Sequence, residues 1–370
     1  MKYKTLADLP EVRVLGRTNG KRSPAALFWT GSGIDLIYDG GELWLIAEAD
    51  FLLFEPWISV ELNGAWIARM PLRRGCNEIC LFRGLAQGKP KHVRVFKEMQ
   101  AMNEDSRHRL LVLGLRYDSG RFAPLPVGKR RLEFIGDSIT CGEGVIGAPL
   151  EQEWASVFFS VTHHYALLTA DALDAELRLV SESGWGVLCG WDNNPRTILP
   201  PYYERVCGLA TGAANRELGA QEPYDFAAWP ADAVIVNLGT NDDNAFTVPE
   251  WKDARTGERF KLHLLENGAY APEDALRVRD AVMDMIRLVR RCNPRAKIVW
   301  VNGMMGDRIY PVLQAALAEY QAQTGDQDAL LFKLPGMTPE TFGPCQHPGP
   351  RAHQAAAEAL VPFLRGLLEP

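Results

Sequence analysis

Arg131-Leu132-Glu133-Phe134-Ile135-Gly136-Asp137-Ser138-Ile139-Thr140 is the stretch from which the rest of the chain is read. Leu132, Phe134 and Ile135 make an apolar run that reads as a short buried strand. The run stops at Gly136, and a small polar cluster follows. In an open α/β sheet, chemistry collects at the carboxyl ends of strands. A serine at such an end stands exposed on a rigid support, so Ser138 is the candidate nucleophile. Gly-Asp-Ser is also a common turn composition, so the assignment depends on later stretches.

Downstream of Arg130 the rhythm is strand, then helix, repeated. Apolar runs predict strands at residues 132–135, 177–181, 233–238, 297–301 and 330–334. Helices are predicted at 154–173, 272–292, 310–323 and 353–368. Within 275–291, Leu276, Val278, Val282, Met285, Ile286 and Val289 recur at helical spacing, and Asn293-Pro294 closes that helix. Strands alternating with helices imply a parallel sheet with helices on both faces, a three-layer α/β/α fold. Segments 184–203 and 241–270 fit neither rhythm. Both follow predicted strands, where long loops build sites.

Upstream the pattern is short and alternating. Asp35-Leu36-Ile37-Tyr38, Asp39-Gly40-Gly41 and Glu42-Leu43-Trp44-Leu45 read as a hairpin. Asn63-Gly64, between residues 56–62 and 66–70, is a second hairpin turn. Further strands are predicted at 92–97 and 110–115. Short strands at this spacing predict an all-β sandwich of jelly-roll type. Residues 117–129, with Asp118-Ser119-Gly120, Pro124 and Pro126, read as a linker. The expected division is a sandwich over 1–125 and an α/β domain over 126–370.

Composition limits the partners. A 47% hydrophobic and 23% charged chain of 370 residues is that of a globular protein. A net charge of −6 without any basic run argues against nucleic acid and anionic membranes. No apolar core follows the N-terminal lysines, and no stretch is long enough to span a bilayer. The seven cysteines are odd in number and scattered, which does not suggest a disulfide framework. Cys76-x-x-x-Cys80, lacking a matching pair, reads as strand packing rather than a zinc site. Together these predict a cytoplasmic protein with reduced thiols.

A serine hydroxyl needs a base, most often histidine. His347 lies after the last predicted strand, in Cys345-Gln346-His347-Pro348-Gly349, where the strand order can bring it to Ser138. His353 reads as a surface or capping residue of the last helix. His163 and His164 fall within another predicted helix and read as structural. Acyl transfer also needs donors aimed at an oxyanion. The third strand ends in Gly239-Thr240-Asn241-Asp242, offering an amide donor. The second ends in Ser183-Gly184-Trp185-Gly186, offering the Gly184 N–H, with the Ser138 N–H completing the hole.

These blocks, in this order, resemble those of the SGNH, or GDSL-type, hydrolase superfamily. The resemblance covers residues 130–370 and implies a flavodoxin-like α/β/α domain. It makes Ser138 and His347 the catalytic residues, with Ser138, Gly184 and Asn241 forming the oxyanion hole and no cofactor. A jelly-roll domain before such a domain resembles carbohydrate esterase family two, whose members remove acetyl groups from sugar hydroxyls. Thr30-Gly31-Ser32-Gly33-Ile34-Asp35 also looks like that family's first domain.

One departure stands out. The superfamily usually places an aspartate shortly before the histidine, where this chain has Pro344 and Cys345. The resemblance therefore implies a Ser-His dyad, its imidazole oriented by Gln346 or a main-chain carbonyl, or else by Glu340 or an acid from another loop. The loop aromatics Trp185, Trp191, Trp251 and Tyr270 are candidates for a sugar platform or for loop packing. Glu143 and Asp192 are read either as sugar-hydroxyl ligands or as surface residues. No Asp/His cluster has metal-ligand spacing, so no metal is expected.

The expected partner is an acetylated sugar or oligosaccharide of xylose or mannose type. Competing readings are a short-chain esterase, thioesterase or acyltransferase on the same scaffold, or a carbohydrate binder without catalysis. The sandwich is left three roles: binding substrate, shaping the site's rim, or joining copies into a homo-oligomer.

Overall fold

The apolar run around Phe134 forms an inner strand of a five-stranded parallel sheet. The computed structural model describes residues 1–369; Pro370, the last residue of the second predicted domain, lies outside them. The sheet comprises β1 (Arg130–Gly136), β2 (Ala175–Ser181), β3 (Ala233–Asn237), β4 (Lys297–Asn302) and β5 (Ala329–Lys333). Their order is β2-β1-β3-β4-β5, with every ladder parallel. This flavodoxin-like order reverses direction between β1 and β3, where such sheets open a crevice.

Helices cover both faces, which is why the strands carry apolar residues toward both. They are α1 (Tyr165–Ala172), α2 (Pro272–Cys292), α3 (Tyr310–Thr324) and α4 (Pro350–Leu368). Ile135, Val180, Val234, Val236, Ile298 and Trp300 pack under α2 and α3. Leu132, Phe134, Leu179, Ile235, Val299 and Val301 pack under α1 and α4. Each fully buried Val, Leu or Ile contributes about 1.5–3 kcal/mol, so this alternation fixes the register. α2 follows its predicted span, with Glu273 and Asp274 in its first turn and Arg290 and Arg291 in its last, signs that suit the helix dipole. Leu276, read as part of its buried stripe, is instead exposed.

The helix predicted over 154–173 is only α1. Its N-cap is His164, whose Nδ1 accepts the Ala166 N–H at 3.3 Å. Before it lie a 3-10 turn at Ser156–Phe158 and extended chain. Val157, Phe158 and Phe159 are consecutive rather than helically spaced. The carbonyls of Val157 and Phe159 are instead taken by the Arg69 guanidinium, at 2.9 and 2.7 Å.

The first half is an antiparallel sandwich of two sheets. One sheet runs Lys2–Lys4, Arg109–Tyr117, Glu42–Asp50, Gly75–Arg83; the other runs Phe122–Ala123, Gly33–Tyr38, Lys91–Lys97, Trp57–Leu62, Ala65–Pro71. Asn63-Gly64 forms the predicted hairpin, both residues at positive φ as a two-residue turn requires. The hairpin expected at Asp39-Gly40-Gly41 is not one. Gly33–Tyr38 and Glu42–Asp50 lie in opposite sheets. Tyr38 Oη and the Gly41 N–H both donate to Asp118, at 2.5 and 2.8 Å. That clamp turns the chain across the sandwich, so Leu36 and Leu45 face one core from two sides. Phe122–Ala123, within the predicted linker, adds a strand beside Ile37 and Tyr38. Cys76 and Cys80 lie on a strand as read, but on its exposed face.

Sandwich and parallel sheet are joined by buried polar contacts. The Trp29 indole N–H donates to Val206 O at 2.7 Å. The buried Gln100 amide donates to Glu182 Oε1 at 3.1 Å. Arg17 is fully buried against Glu133 of β1.

Candidate active site

β1 ends at Gly136, and Ser138 opens a four-residue helical turn, Ser138–Cys141. Asp137 caps it, accepting the Ile139 N–H at 3.1 Å. Burial pushes the Asp137 carboxyl up to about 7, and the nearby charges of Asp242 and Glu143 add to that. Ser138 lines a cavity of about 630 Å³ with Glu143, Ser183, Gly184, Asn241 and His347. The cavity lies at the carboxyl ends of the strands, where the sheet order reverses.

His347 stands on the turn between β5 and α4. Its Nε2 lies 2.9 Å from Ser138 Oγ, and its Nδ1 lies 3.1 Å from the Cys345 carbonyl oxygen. A carbonyl can only accept, so Nδ1 carries the proton. Nε2 then presents its lone pair to the serine hydroxyl, as a general base must. Cys345 and Gln346 hold φ of 54° and 56°, a left-handed pair that turns the Cys345 carbonyl toward the ring. The Cys345 N–H donates to Glu151 O, and the His347 N–H to Pro344 O, which hold this turn. Such strained positions persist where their surroundings over-determine them. Gln346 and Glu340, read as possible orienters, are both exposed.

The remaining strand ends supply donors. Asn241 Nδ2 donates to Trp185 O at 2.8 Å, which leaves its second amide hydrogen free. Gly184 has a φ of 78°, and a Cβ there would sit 2.9 Å from the Trp191 ring. The N–H groups of Ser138 and Gly184 donate to no other group among the described residues. Asp242, fully buried beside them, accepts the N–H groups of Val187, Leu188 and Cys189. It thereby fixes the loop that follows Gly184.

A family model described as the GDSL-like lipase/acylhydrolase family matches residues 134–355. The chain belongs to that family. It is an SGNH-type esterase whose four blocks meet around one cavity. Its fold matches the solved structure of an acetyl xylan esterase, Est2A, from Butyrivibrio proteoclasticus. That match has 44% identity and a TM-score of 0.97, covering 99% of this chain and 98% of Est2A. A Cellvibrio japonicus acetylxylan esterase / glucomannan deacetylase is 25% identical, over 98% of this chain and 90% of the relative. The cellulase/esterase CelE of Acetivibrio thermocellus is 25% identical over 92% of this chain, which spans only 37% of that longer protein. Solved family two carbohydrate esterases share the fold at 24% identity or less.

Of the aromatic candidates, the SGNH cavity includes one. Trp191 is 54% exposed and lines it. Trp185 is 6% exposed and packs edge-on to Tyr202, a core residue rather than a platform. Trp251 lies in a two-strand ribbon under the Arg196 guanidinium, away from the cavity. Tyr270 stacks on Phe246 and donates to Asp243. Asp192 accepts the Asn194 N–H at 3.1 Å, a turn contact.

Two residues escaped the sequence reading. Trp154, 37% exposed, lines the cavity and packs edge-on against Phe54 and Phe159. Its place at the head of a predicted helix disguised it. Gln100, from the sandwich, accepts the Ser183 N–H at 2.9 Å and donates to Glu182 at 3.1 Å. Nothing local marks a glutamine 83 positions away. Glu143, read as a sugar-hydroxyl ligand or a surface residue, is not on the open surface: it is buried in the cavity lining, its Oε1 3.7 Å from His347 Nδ1. His353, read as a surface or capping residue, is fully buried. Its Nδ1 accepts the Tyr165 N–H at 3.2 Å, and burial holds the imidazole well below its usual range.

Proposed function

We propose that the chain is a carbohydrate O-acetylesterase acting through a Ser138–His347 dyad on acetylated xylose- or mannose-type oligosaccharides. The observation that carries this is the relay from the Cys345 carbonyl through the imidazole to Ser138 Oγ, at the mouth of an open cavity. His347 Nε2 takes the hydroxyl proton as Oγ attacks the acetyl carbonyl. The C=O π bond opens to an oxyanion held by the Ser138 N–H, the Gly184 N–H and the Asn241 amide. The imidazolium returns its proton to the departing sugar oxygen, leaving acetyl-serine. Water, deprotonated by the same nitrogen, attacks that ester, and acetate leaves as Ser138 regains its proton.

The acetylxylan esterase and deacetylase names of the relatives support the substrate class. Trp154 and Trp191 support it too, since amphipathic rings suit sugars. The division at residues 125/126 belongs to the same proposal, supported by the change from antiparallel to parallel pairing between Phe122–Ala123 and Arg130–Gly136. So does a cytoplasmic setting, supported by seven free cysteines.

The test is acetate release from acetylated xylo- and manno-oligosaccharides beside an aryl acetate and longer-chain aryl esters. We expect acetate to be preferred over longer acyl groups, and oligosaccharides to have the lower KM. A preference for long acyl chains or thioesters would replace this reading with a general acyl hydrolase.

Asn241→Ala is expected to lower kcat by about 10²–10³-fold with little change in KM. Its amide meets the oxyanion in the transition state and not the ground-state carbonyl. A rise in KM at constant kcat would make Asn241 a substrate-binding residue instead.

A further inference from the structure

Glu143 is a buried acid that the proposed mechanism leaves unused. It follows the helical turn of Ser138, and its N–H donates to Ser138 O at 3.1 Å. Its Oε2 accepts the Ser183 hydroxyl. Its Oε1 lies 3.7 Å from His347 Nδ1, within ion-pair range but too far for a hydrogen bond. The backbone packs as closely, since a Cβ on the next residue, Gly144, would sit 2.5 Å from His347 Cβ.

In a serine triad the aspartate has two tasks: it fixes the imidazole tautomer, and its charge stabilises the imidazolium. The Cys345 carbonyl performs the first task, but it carries only a dipole. We propose that Glu143 performs the second, as a positioning residue whose charge faces His347 while Ser183 ties it to the oxyanion loop. The two tasks are thus divided between a main-chain carbonyl after β5 and a carboxylate after β1.

The Ser183 tie gives Glu143 a further reach. Ser183 immediately precedes Gly184 and is held from its other side by Gln100 of the sandwich. One carboxylate therefore braces the base and the segment carrying an oxyanion donor. This also assigns the sandwich a part in the site, since Gln100 completes the grip on Ser183.

The other charged groups nearby do not duplicate this role. Asp137 and Asp242 are committed to backbone N–H groups. Glu182 is occupied by Gln100 and the Asn103 N–H. Arg308 at the cavity mouth is paired with Asp243. The Cys345 thiol, under the fields of Glu143 and Glu153, is pushed up first by burial. His353, behind His347, is held neutral by burial. Among the described residues, Glu143 is the acid within ion-pair distance of His347.

The inference rests on the Ser138–His347 reading, and the test separates the two. The pH dependence of kcat/KM for an aryl acetate is measured for wild type, Glu143→Gln, Glu143→Asp, Ser183→Ala and Ser138→Ala. Glu143→Gln keeps the shape and removes the charge. It is expected to lower kcat about 10–100-fold, leave KM within about twofold, and move the acid limb to lower pH, because an opposite charge at this range favours the protonated ring. Glu143→Asp, with its charge drawn back by one methylene, moves the limb part-way, and decides the question should the Gln variant not fold. Ser183→Ala lowers kcat without moving the limb. An unmoved limb in both Glu143 variants overturns the proposal. Activity surviving in Ser138→Ala overturns the dyad instead.

Discussion

Ser138→Ala is expected to reduce kcat for acetyl ester hydrolysis by about 10⁴–10⁶-fold, and His347→Ala by a similar factor. The two residues act as one unit. Without Oγ no acetyl-enzyme forms; without the imidazole the hydroxyl stays protonated and the leaving sugar oxygen receives no proton. The double variant should therefore be no slower than either single one by more than a small factor. Residual turnover comes from the oxyanion donors and from substrate binding alone. KM for an oligosaccharide should stay within a few-fold, since the rings of Trp154 and Trp191 are untouched. Both variants should unfold like the wild type, because Ser138 Oγ and His347 Nε2 hydrogen-bond to each other at the cavity wall. Activity of Ser138→Ala near the wild-type level would remove the hydrolase mechanism, whatever the fold.

The parts of this site that the sequence revealed are those set by backbone position. A strand end fixes its following residue whatever packs around it. Ser138, Gly184, Asn241 and His347 could therefore be ordered along one sheet edge from periodicity and loop placement. The absence of an aspartate before His347 was equally legible, and a main-chain carbonyl was one of the orienters left open, though not which one. Side-chain partners distant in sequence were not legible. Glu143 is five positions from Ser138, but its partners Ser183 and His347 come from two other strand ends. Trp185 and Trp191 read alike as loop aromatics. Only packing separates them, Trp185 falling against Tyr202 and Trp191 facing the cavity. In the sandwich, period-2 alternation identified the strands but not their sheets. Leu36 and Leu45 point into one core whether their strands pair directly or face each other across it. The Asp118 clamp that decides between these lies about 80 residues from Tyr38.

Glu133 illustrates the same limit, and its removal is expected to have the largest effect on stability. It lies in the middle of β1, where its neighbours Leu132 and Phe134 are core residues. Arg17, 116 positions earlier, donates from Nε to Glu133 Oε1 at 2.9 Å, with Nη2 at the same distance. The Tyr203 hydroxyl donates to Oε2 at 2.6 Å, and the Arg17 guanidinium is packed over the rings of Tyr203, Tyr224 and Phe226. Arg178 of β2 also feels this carboxylate; burial first, and then the charges of Arg17 and Arg131, draw its guanidinium down to about 10. Glu133→Ala leaves one guanidinium buried without a counter-charge, a second less well compensated, and a tyrosine hydroxyl without its acceptor. Breaking a buried pair in this way costs about 3–5 kcal/mol. Arg17→Ala should cost somewhat less, because Arg178 remains to balance the acid. Replacing both by apolar residues, Arg17→Met with Glu133→Leu, should recover much of the loss, since burying two charges is itself expensive. Urea unfolding midpoints of the four proteins measure this. Single variants costing under about 1 kcal/mol would mean that water reaches the pair and screens it. A double variant as unstable as the sum of the singles would locate the loss in packing around the three rings. The expected non-additivity instead assigns the docking of the sandwich onto β1 to charge pairing, which holds in register the strand that carries Ser138.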